Sequence, residues 1–581
     1  MKPKTIALTL AAGAVAMLVA ACGGGGGGDA PPAPAPAPDP SLQVSGTAAT
    51  GAALADASVE VKCATGTGTA TTGATGMYTV TITGGALPCL VEVKKTVGGT
   101  TITLHSVVEA GTLNETDRRT SAVANVTPIT EMIVAHLGAA LPEDSFKGFK
   151  GDAITQAQID AAKAAIVTAL KNAGIDVSGI DPLKAELVAG TSSGKGNAYD
   201  QLLDALGAKV DDDALKIVVN QIAAAALAKS DDGLKDAMEA VSGGSLAGCP
   251  VAVSGKYRTV DHFGRLVTRS VDFKTMKFQA ATGTDMLDIT ADATRPCEFT
   301  ASGTVGGQAA EYQVVMGPNG LGAYRSRNLN PATPGTVGYI FPAQSHSYSA
   351  FRGTWTFLQS GVVDPGSLTH LPGQVTFGEE RKVSVCDYNT STWQCVADTT
   401  ANITATERAD GGIDVGDASG TGVTLYAYRA PNGSFALFGT TDANGGTPTT
   451  DPASTLIAGK LSTLPLPAVG TEVKFWDVQL AITGTTRTTT APSPDSNTVL
   501  TVDAATQTVT RKRSSDGRED VVHYNDPLAG VRTRDAGSFN NQPFAAVHQI
   551  PLPGMGLTLS VNSVPASATS TYIVNISVNR P

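Results

Sequence analysis

The cysteines set the tightest limit on how this chain can fold. Of seven in 581 residues, six fall as close neighbours: Cys63 with Cys89, Cys249 with Cys297, and Cys386 with Cys395. None lies between Cys89 and Cys249. Six cysteines allow fifteen connectivities, and pairing between neighbours is the arrangement expected here. Val59, Val61 and Cys63 alternate on one strand face, and Cys89, Val91 and Val93 do the same. Both sulfurs of the first pair therefore point into one core. In an oxidising compartment each closed pair is worth about 2–4 kcal/mol; the alternative is buried free thiols. No pair has CxxC spacing, which argues against redox or zinc roles.

The seventh cysteine, Cys22, belongs to the N-terminal segment. Lys2 and Lys4 precede an apolar stretch, Ile6 to Ala20, that is too short to span a bilayer. This is the layout of a secretory signal peptide over residues 1–21. The closing Val19-Ala20-Ala21-Cys22 resembles a bacterial lipobox. The resemblance implies that Cys22 is diacylated and becomes the first residue of the mature chain. Two acyl chains give a stable membrane anchor where one does not. By the same resemblance to lipoproteins, Gly23 rather than Asp implies sorting to the outer membrane, with either the periplasm or the cell surface as the side faced. Residues 22–41 are a tether of glycines followed by alternating Pro and Ala, with a reach of about 25–50 Å. No other apolar run is long enough for a spanning helix. A net charge of −11 argues against a nucleic-acid partner.

The fold class expected is multidomain: a small β-sandwich, an α-helical module, and a large antiparallel β region built of sandwich or calycin-like barrel units. The sandwich is placed at 42–115. Gly51 to Val61 reads as a turn running into an alternating strand, and Thr71-Thr72-Gly73-Ala74-Thr75-Gly76-Met77-Tyr78 as a glycine turn feeding another. With Val44-Ser45-Gly46 ahead of them, these segments resemble the carboxypeptidase regulatory-like domain, a transthyretin-like sandwich. That family is a non-catalytic accessory module, so the resemblance implies no enzyme activity.

The period changes over 116–245. Thr127 is placed to cap a helix with Pro128 at its first position, and Ile129, Ile133, Val134 and Leu137 share a face. Thr155-Gln156-Ala157-Gln158 is a capping box, followed by Ile159, Ala162, Ile166 and Leu170 at helical spacing and a stop at Gly174. Leu202, Leu203 and Leu206 mark a third helix, and Leu215 to Leu227 a fourth. The Ile175 to Leu183 segment, with Asn197 to Leu206, resembles a helical module of proteobacterial lipoproteins.

Residues 246–581 return to β structure, as one, two or three units with breaks near 350 or 460. Gly255-Lys256-Tyr257 and Gly353-Thr354-Trp355 open two similar stretches. Each later carries a Pro-Asn-Gly hairpin signal, at Pro318 to Gly320 and Pro431 to Gly433, beside a Tyr-Arg pair. This predicts an internal duplication, and the Gly-x-aromatic starts resemble calycin-type barrels. Outward faces beyond 460 are expected to carry Arg and Asp, which lipid would reject.

No catalytic, cofactor or metal site emerges. Gly190 to Gly196 matches a nucleophile elbow, an S-x-x-K pair and a shortened P-loop at once, and reads as a polar loop. The seven histidines lack metal-ligand spacing and read as solvated or locally bonded residues. Asp211-Asp212-Asp213 reads as a helix start, and Asp442 to Gly446 lacks the acidic residue that would close a calcium loop. Arg511-Lys512-Arg513 with Arg518 forms a basic patch, read as solvated strand ends in preference to an anion site. Trp355, Trp393 and Trp476 are the residues through which a ligand could stack, against a reading as core. The function expected is a lipid-anchored envelope protein presenting binding or structural modules to a protein, glycan or lipid. The alternative is an envelope hydrolase with its site in the C-terminal β region. No cofactor is called for, and the oligomeric state is open.

Overall fold

The computed structural model describes residues 40–580 apart from 98–99, 152–153, 191–193, 281–284, 329–334, 364–366, 389–394, 398–401, 417–421, 441–452 and 563–569. Cys22, the signal segment, nearly all of the tether, Trp393 and Asp442 to Gly446 lie outside the described residues.

Two four-stranded sheets form the N-terminal sandwich. One runs Met77–Thr83, Ser41–Thr47, Arg119–Val123, Thr112–Asn114, and the other Thr67–Thr71, Ser58–Thr65, Ala86–Val97, Thr100–Val108. Alternation explains the inner faces: Val59, Val61 and Cys63 are buried on one strand and Cys89, Val91 and Val93 on its neighbour. Cys63 and Cys89 stand directly opposite each other. They are disulfide-bonded, with Cα atoms 3.9 Å apart.

Six helices follow: α1 Pro128–Gly138, α2 Pro142–Lys147, α3 Gln156–Asn172, α4 Ala198–Gly207, α5 Asp212–Ala228 and α6 Asp231–Gly243. Thr127 and Thr130 cap α1 reciprocally, and Thr155 and Gln158 do so for α3. Asn197 and Asp211 cap α4 and α5 through their side chains. Every residue of α1 from Pro128 to Ala135 is buried, because the helix lies among strand Thr100–Val108, α3 and α5. One buried cluster runs from Leu42 to Val253, so sandwich and helices share a core. The short α2 was not read from sequence, and neither was α6, although Leu234, Ala237, Met238 and Val241 fall at helical spacing along it.

Three rings of antiparallel strands make up the rest. The first is a closed eight-stranded barrel over Gly255–Asp261 to Thr336–Pro342. Cys249, just ahead of it, is disulfide-bonded to Cys297 between its fourth and fifth strands. The second, from Gly353–Val363 to Ala453–Lys460, is a nine-stranded sheet. A bridge between Lys382 and Thr404 draws it into a ring of eight, with Cys395–Ala397 as a side strand. Cys386 within it is disulfide-bonded. Its strand, Val383–Tyr388, pairs with Cys395–Ala397. In the third ring, Glu472–Thr483 pairs with both Ser493–Asp503 and Thr571–Asn579 and closes eight strands. Residues 343–352 join the first ring to the second, and residues 461–471 the second to the third.

The Pro-Asn-Gly signals occupy equivalent places, between the sixth and seventh strands of the first two rings. The third ring has Pro553-Gly554 there. All three hairpins meet. The side-chain amides of Asn319 and Asn432 both donate to the Gly554 carbonyl, at 2.7 and 2.5 Å. The Tyr428 hydroxyl donates to the Asn319 carbonyl at 2.5 Å. The internal repeat is thus threefold, and its third copy was hidden because its turn lacks the asparagine. Gly554 has φ +73°, and a Cβ there would sit 2.1 Å from Ser434 Oγ. Gly554→Ala is expected to cost about 1–2 kcal/mol from the backbone alone, read as a lowered melting temperature.

Candidate functional site

The third barrel mixes charged and polar side chains with apolar ones such as Phe475, Val499 and Ile573 inside, and is apolar along the wall it shares with its neighbours. On strand Glu472–Thr483, Phe475, Asp477 and Gln479 face a cavity, while Trp476, Val478, Leu480 and Ile482 join a core shared with the other two barrels. On Thr571–Asn579, Asn575, Ser577 and Asn579 face in, and Tyr572, Val574, Ile576 and Val578 face out. Every one of the eight ring strands contributes to the cavity wall, so the cavity is the barrel lumen. Its volume is about 730 Å³, and an eight-stranded barrel is just wide enough for one small ligand. The second barrel is different: Trp355, Phe357, Phe377 and Leu437 fill it.

Five arginines line the lumen: Arg511, Arg513, Arg518, Arg532 and Arg534. Strand alternation puts them there. Arg511 and Arg513 are two apart on strand Thr508–Arg513, and Arg532 and Arg534 are two apart on Arg532–Arg534. Residues two apart share a face, and the intervening Lys512 is exposed on the outside. The basic patch is therefore not a set of solvated strand ends. Likewise, arginines and aspartates of this barrel face the lumen, which corrects the expectation that they lie on its outer face. The two R-x-R strands were the available signal, and reading Arg511-Lys512-Arg513 as one patch obscured it. Arg532 and Arg534 went unnoticed.

Three carboxylates answer the five guanidinium groups. Arg513 is held by Asp477 and Asp495, both at 2.5 Å. Burial lowers its pKa, but these two carboxylates outweigh it and raise it. Burial works against ionised Asp495 too, but hydrogen bonds from Ser515, Arg513 and Ser514 hold it well below the usual carboxylate range. Arg518 meets Asp520 with two nitrogens, at 3.1 and 3.2 Å. Arg534 reaches the same carboxylate at 3.4 Å and the Ala545 carbonyl at 2.8 Å. Among the described residues, Arg511 hydrogen-bonds only the Gln549 side chain, at 3.5 Å, and burial with neighbouring Arg532 brings its pKa down to about 10. Arg532 donates to the Tyr524 hydroxyl at 3.3 Å. Among the described residues, the Nε–H groups of Arg511, Arg532 and Arg534 have no acceptor, and that of Arg518 has only the ion-pair contact with Asp520. The Phe544 ring, on the hairpin Gly537–Phe539 with Gln542–Phe544, lies 5.2 Å from the Arg518 guanidinium and 4.5 Å from that of Arg534.

The other residues singled out lie elsewhere. Trp355 is buried in the second barrel and donates to the Phe351 carbonyl at 2.7 Å, and Trp476 is in the shared core. Both are core residues, not stacking platforms. Ser192 is outside the described residues. Three histidines are buried rather than solvated. His262 and His346 are driven down to about 3 by burial. His105 is clamped between Glu92 and Glu131, at 3.3 and 3.0 Å. Among the described residues no group of three or more His, Cys, Asp or Glu is arranged to hold a metal ion.

No family model and no curated protein matches this sequence. Among solved structures, the chain is similar to intact Ap-TbpB with its N and C lobes, at 12% identity and a TM-score of 0.21, covering 54% of this chain and 66% of that one. It is similar to a double mutant of the vaccine antigen Transferrin Binding Protein B from Haemophilus parasuis, at 10% and 0.21, covering 54% and 65%. A candidate outer membrane protein from Bacteroides fragilis matches at 13% and 0.13, covering 40% and 99%. The chain spans about two thirds of the length of the two TbpB chains it matches. At such low TM-scores, the lumen itself is the ground for a functional reading.

Proposed function

We propose that this chain is a lipid-anchored binding protein of the cell envelope that holds a small polar ligand in the lumen of its third barrel. The observation that carries this is a cavity of about 730 Å³, lined by all eight strands and furnished with five arginines. A barrel that needed only stability would fill with apolar side chains, as the second barrel does. Binding is favoured over hydrolysis because Asp477, Asp495 and Asp520 are each engaged by an arginine. None of them is poised as a general base. The sandwich, in this reading, is a carboxypeptidase regulatory-like spacer. The Cys22 anchor and the Gly/Pro tether hold the binding unit off the outer membrane.

Two measurements test it. Mature protein purified under native conditions should carry a small molecule detectable by native mass spectrometry. Ser560→Trp, which fills the lumen from the strand Leu557–Asn562, should remove it. Equal ligand content in both proteins would place the site elsewhere. For the anchor, Cys22→Ser is expected to abolish labelling by an acyl probe and to leave the signal segment largely uncleaved. Equal label on both forms would rule out lipidation at Cys22.

A further inference from the structure

We propose that the lumen of the third barrel is built for a small organic dianion, a phosphate monoester or a dicarboxylate, gripped by Arg511, Arg532 and Arg534. This rests on the reading of the lumen as the ligand site and adds the chemistry of what enters it.

Charge balance is the first argument. Five guanidinium groups stand against three carboxylates, Asp477, Asp495 and Asp520. Arg513 takes two of the carboxylates and Arg518 takes the third as a two-point pair. Arg534 shares that third carboxylate only at 3.4 Å. Among the described residues, that leaves two positive charges, on Arg511 and Arg532, with no carboxylate in contact. Enclosed charges left unpaired are costly. A monoanion would leave one behind, and a neutral sugar would strip water from both without compensation.

Donor geometry is the second argument. Arg511, Arg532 and Arg534 come from two strands flanking the strand Glu519–Tyr524, where Arg511 pairs with Asp520, Arg534 with Val522 and Arg532 with Tyr524. Each keeps an Nε–H with no acceptor. A guanidinium presents its donors as a planar fork that matches two oxygens of a carboxylate or phosphate. Phe544 stacks on Arg534 and Arg518 and restrains both forks.

The experiment uses the mature full chain at low ionic strength. Glucose phosphate, succinate and neutral glucose are titrated calorimetrically, and melting temperatures are recorded with and without each. The expected result is that glucose phosphate, succinate or both bind, at least about tenfold more tightly than glucose. Arg511→Met and Arg532→Met should each weaken that binding by at least about tenfold, whereas outward-facing Lys512→Met leaves it unchanged. Ligand-free Arg511→Met should also melt higher than wild type, because it removes a charge that has no partner until the ligand arrives. Failure of both dianions to bind overturns the proposal. So does a lower melting temperature of ligand-free Arg511→Met, which would make that arginine structural. Glucose binding as tightly as the dianions, and lost in Ser560→Trp, overturns the dianion but keeps the lumen as the site. A dianion that binds Ser560→Trp as well as wild type overturns both.

Discussion

His105→Ala is expected to destabilise the chain by about 3–5 kcal/mol, because it leaves buried Glu131 without its cation and Glu92 with Lys94 alone. His105 stands directly across the sheet from Glu92. Its ring lies 3.3 Å from the Glu92 carboxylate and 3.0 Å from that of Glu131, in the first turn of α1. The backbone is tied in as well: His105 N–H donates to Glu131, and the Thr130 hydroxyl donates to the His105 carbonyl at 2.7 Å. Sheet and helix are thus fastened through one imidazolium. Burial alone would lower the His105 pKa, but Glu131 and Glu92 outweigh it and raise it from 6.5 to about 9. Burial likewise opposes ionisation of Glu92, yet hydrogen bonds from His105 and Lys94 bring it from 4.5 down to about 2. The signs follow from linkage. The His105 contribution is complete below pH 6.5 and is lost as pH rises through about 9. The Glu92 contribution is complete above pH 4.5 and fades as pH falls towards about 2. The clamp is therefore strongest between those inner limits. Urea midpoints measured across the range should show the variant's deficit at its largest near pH 5 to 6, shrinking above about pH 9. A deficit that stays constant with pH would mean that only the volume of the ring matters.

What the sequence disclosed and what it hid divide along a physical line. Local signals were legible. Thr127 with Pro128, the Thr155 capping box and Asp211 each mark a helix start, because a cap is a contact within four residues. Alternation alone pointed Cys63 and Cys89 into one core. Long-range arrangement was not legible. Alternation on the strand Glu472–Thr483 shows that Trp476 and Asp477 point opposite ways, but not which side is the inside of a ring. The usual expectation, apolar inward, would have put the arginines in solvent. The third barrel reverses it because the other barrels cover much of its apolar wall. The clamp on His105 was invisible for the same reason, since Glu92, His105 and Glu131 come together only when α1 docks on the sheet.

Trp476→Ala is expected to cost about 3–5 kcal/mol, whereas Gln479→Ala, three residues along the same strand, should stay within about 0.5 kcal/mol. Both belong to the strand Glu472–Thr483, and the difference is the side of the barrel wall each side chain occupies. Trp476 is 1% exposed. It lies in the cluster that also holds Tyr339 and Phe341 of the first barrel and Tyr428 and Phe438 of the second. The rings of Phe341 and Phe438 stack at 4.5 Å between centroids within it. Removing an indole there leaves a void that three barrels would have to close together, and their interlocked hairpins at Asn319, Asn432 and Gly554 resist that shift. Gln479 faces the lumen, where water takes the place of a lost side chain. The same contrast separates the two tryptophan readings. If Trp476 were a ligand platform, its loss would spare the urea midpoint and remove binding. If it is the joint between barrels, the midpoint falls first. Equal, small effects of both substitutions would mean that the shared apolar wall does not hold the barrels together.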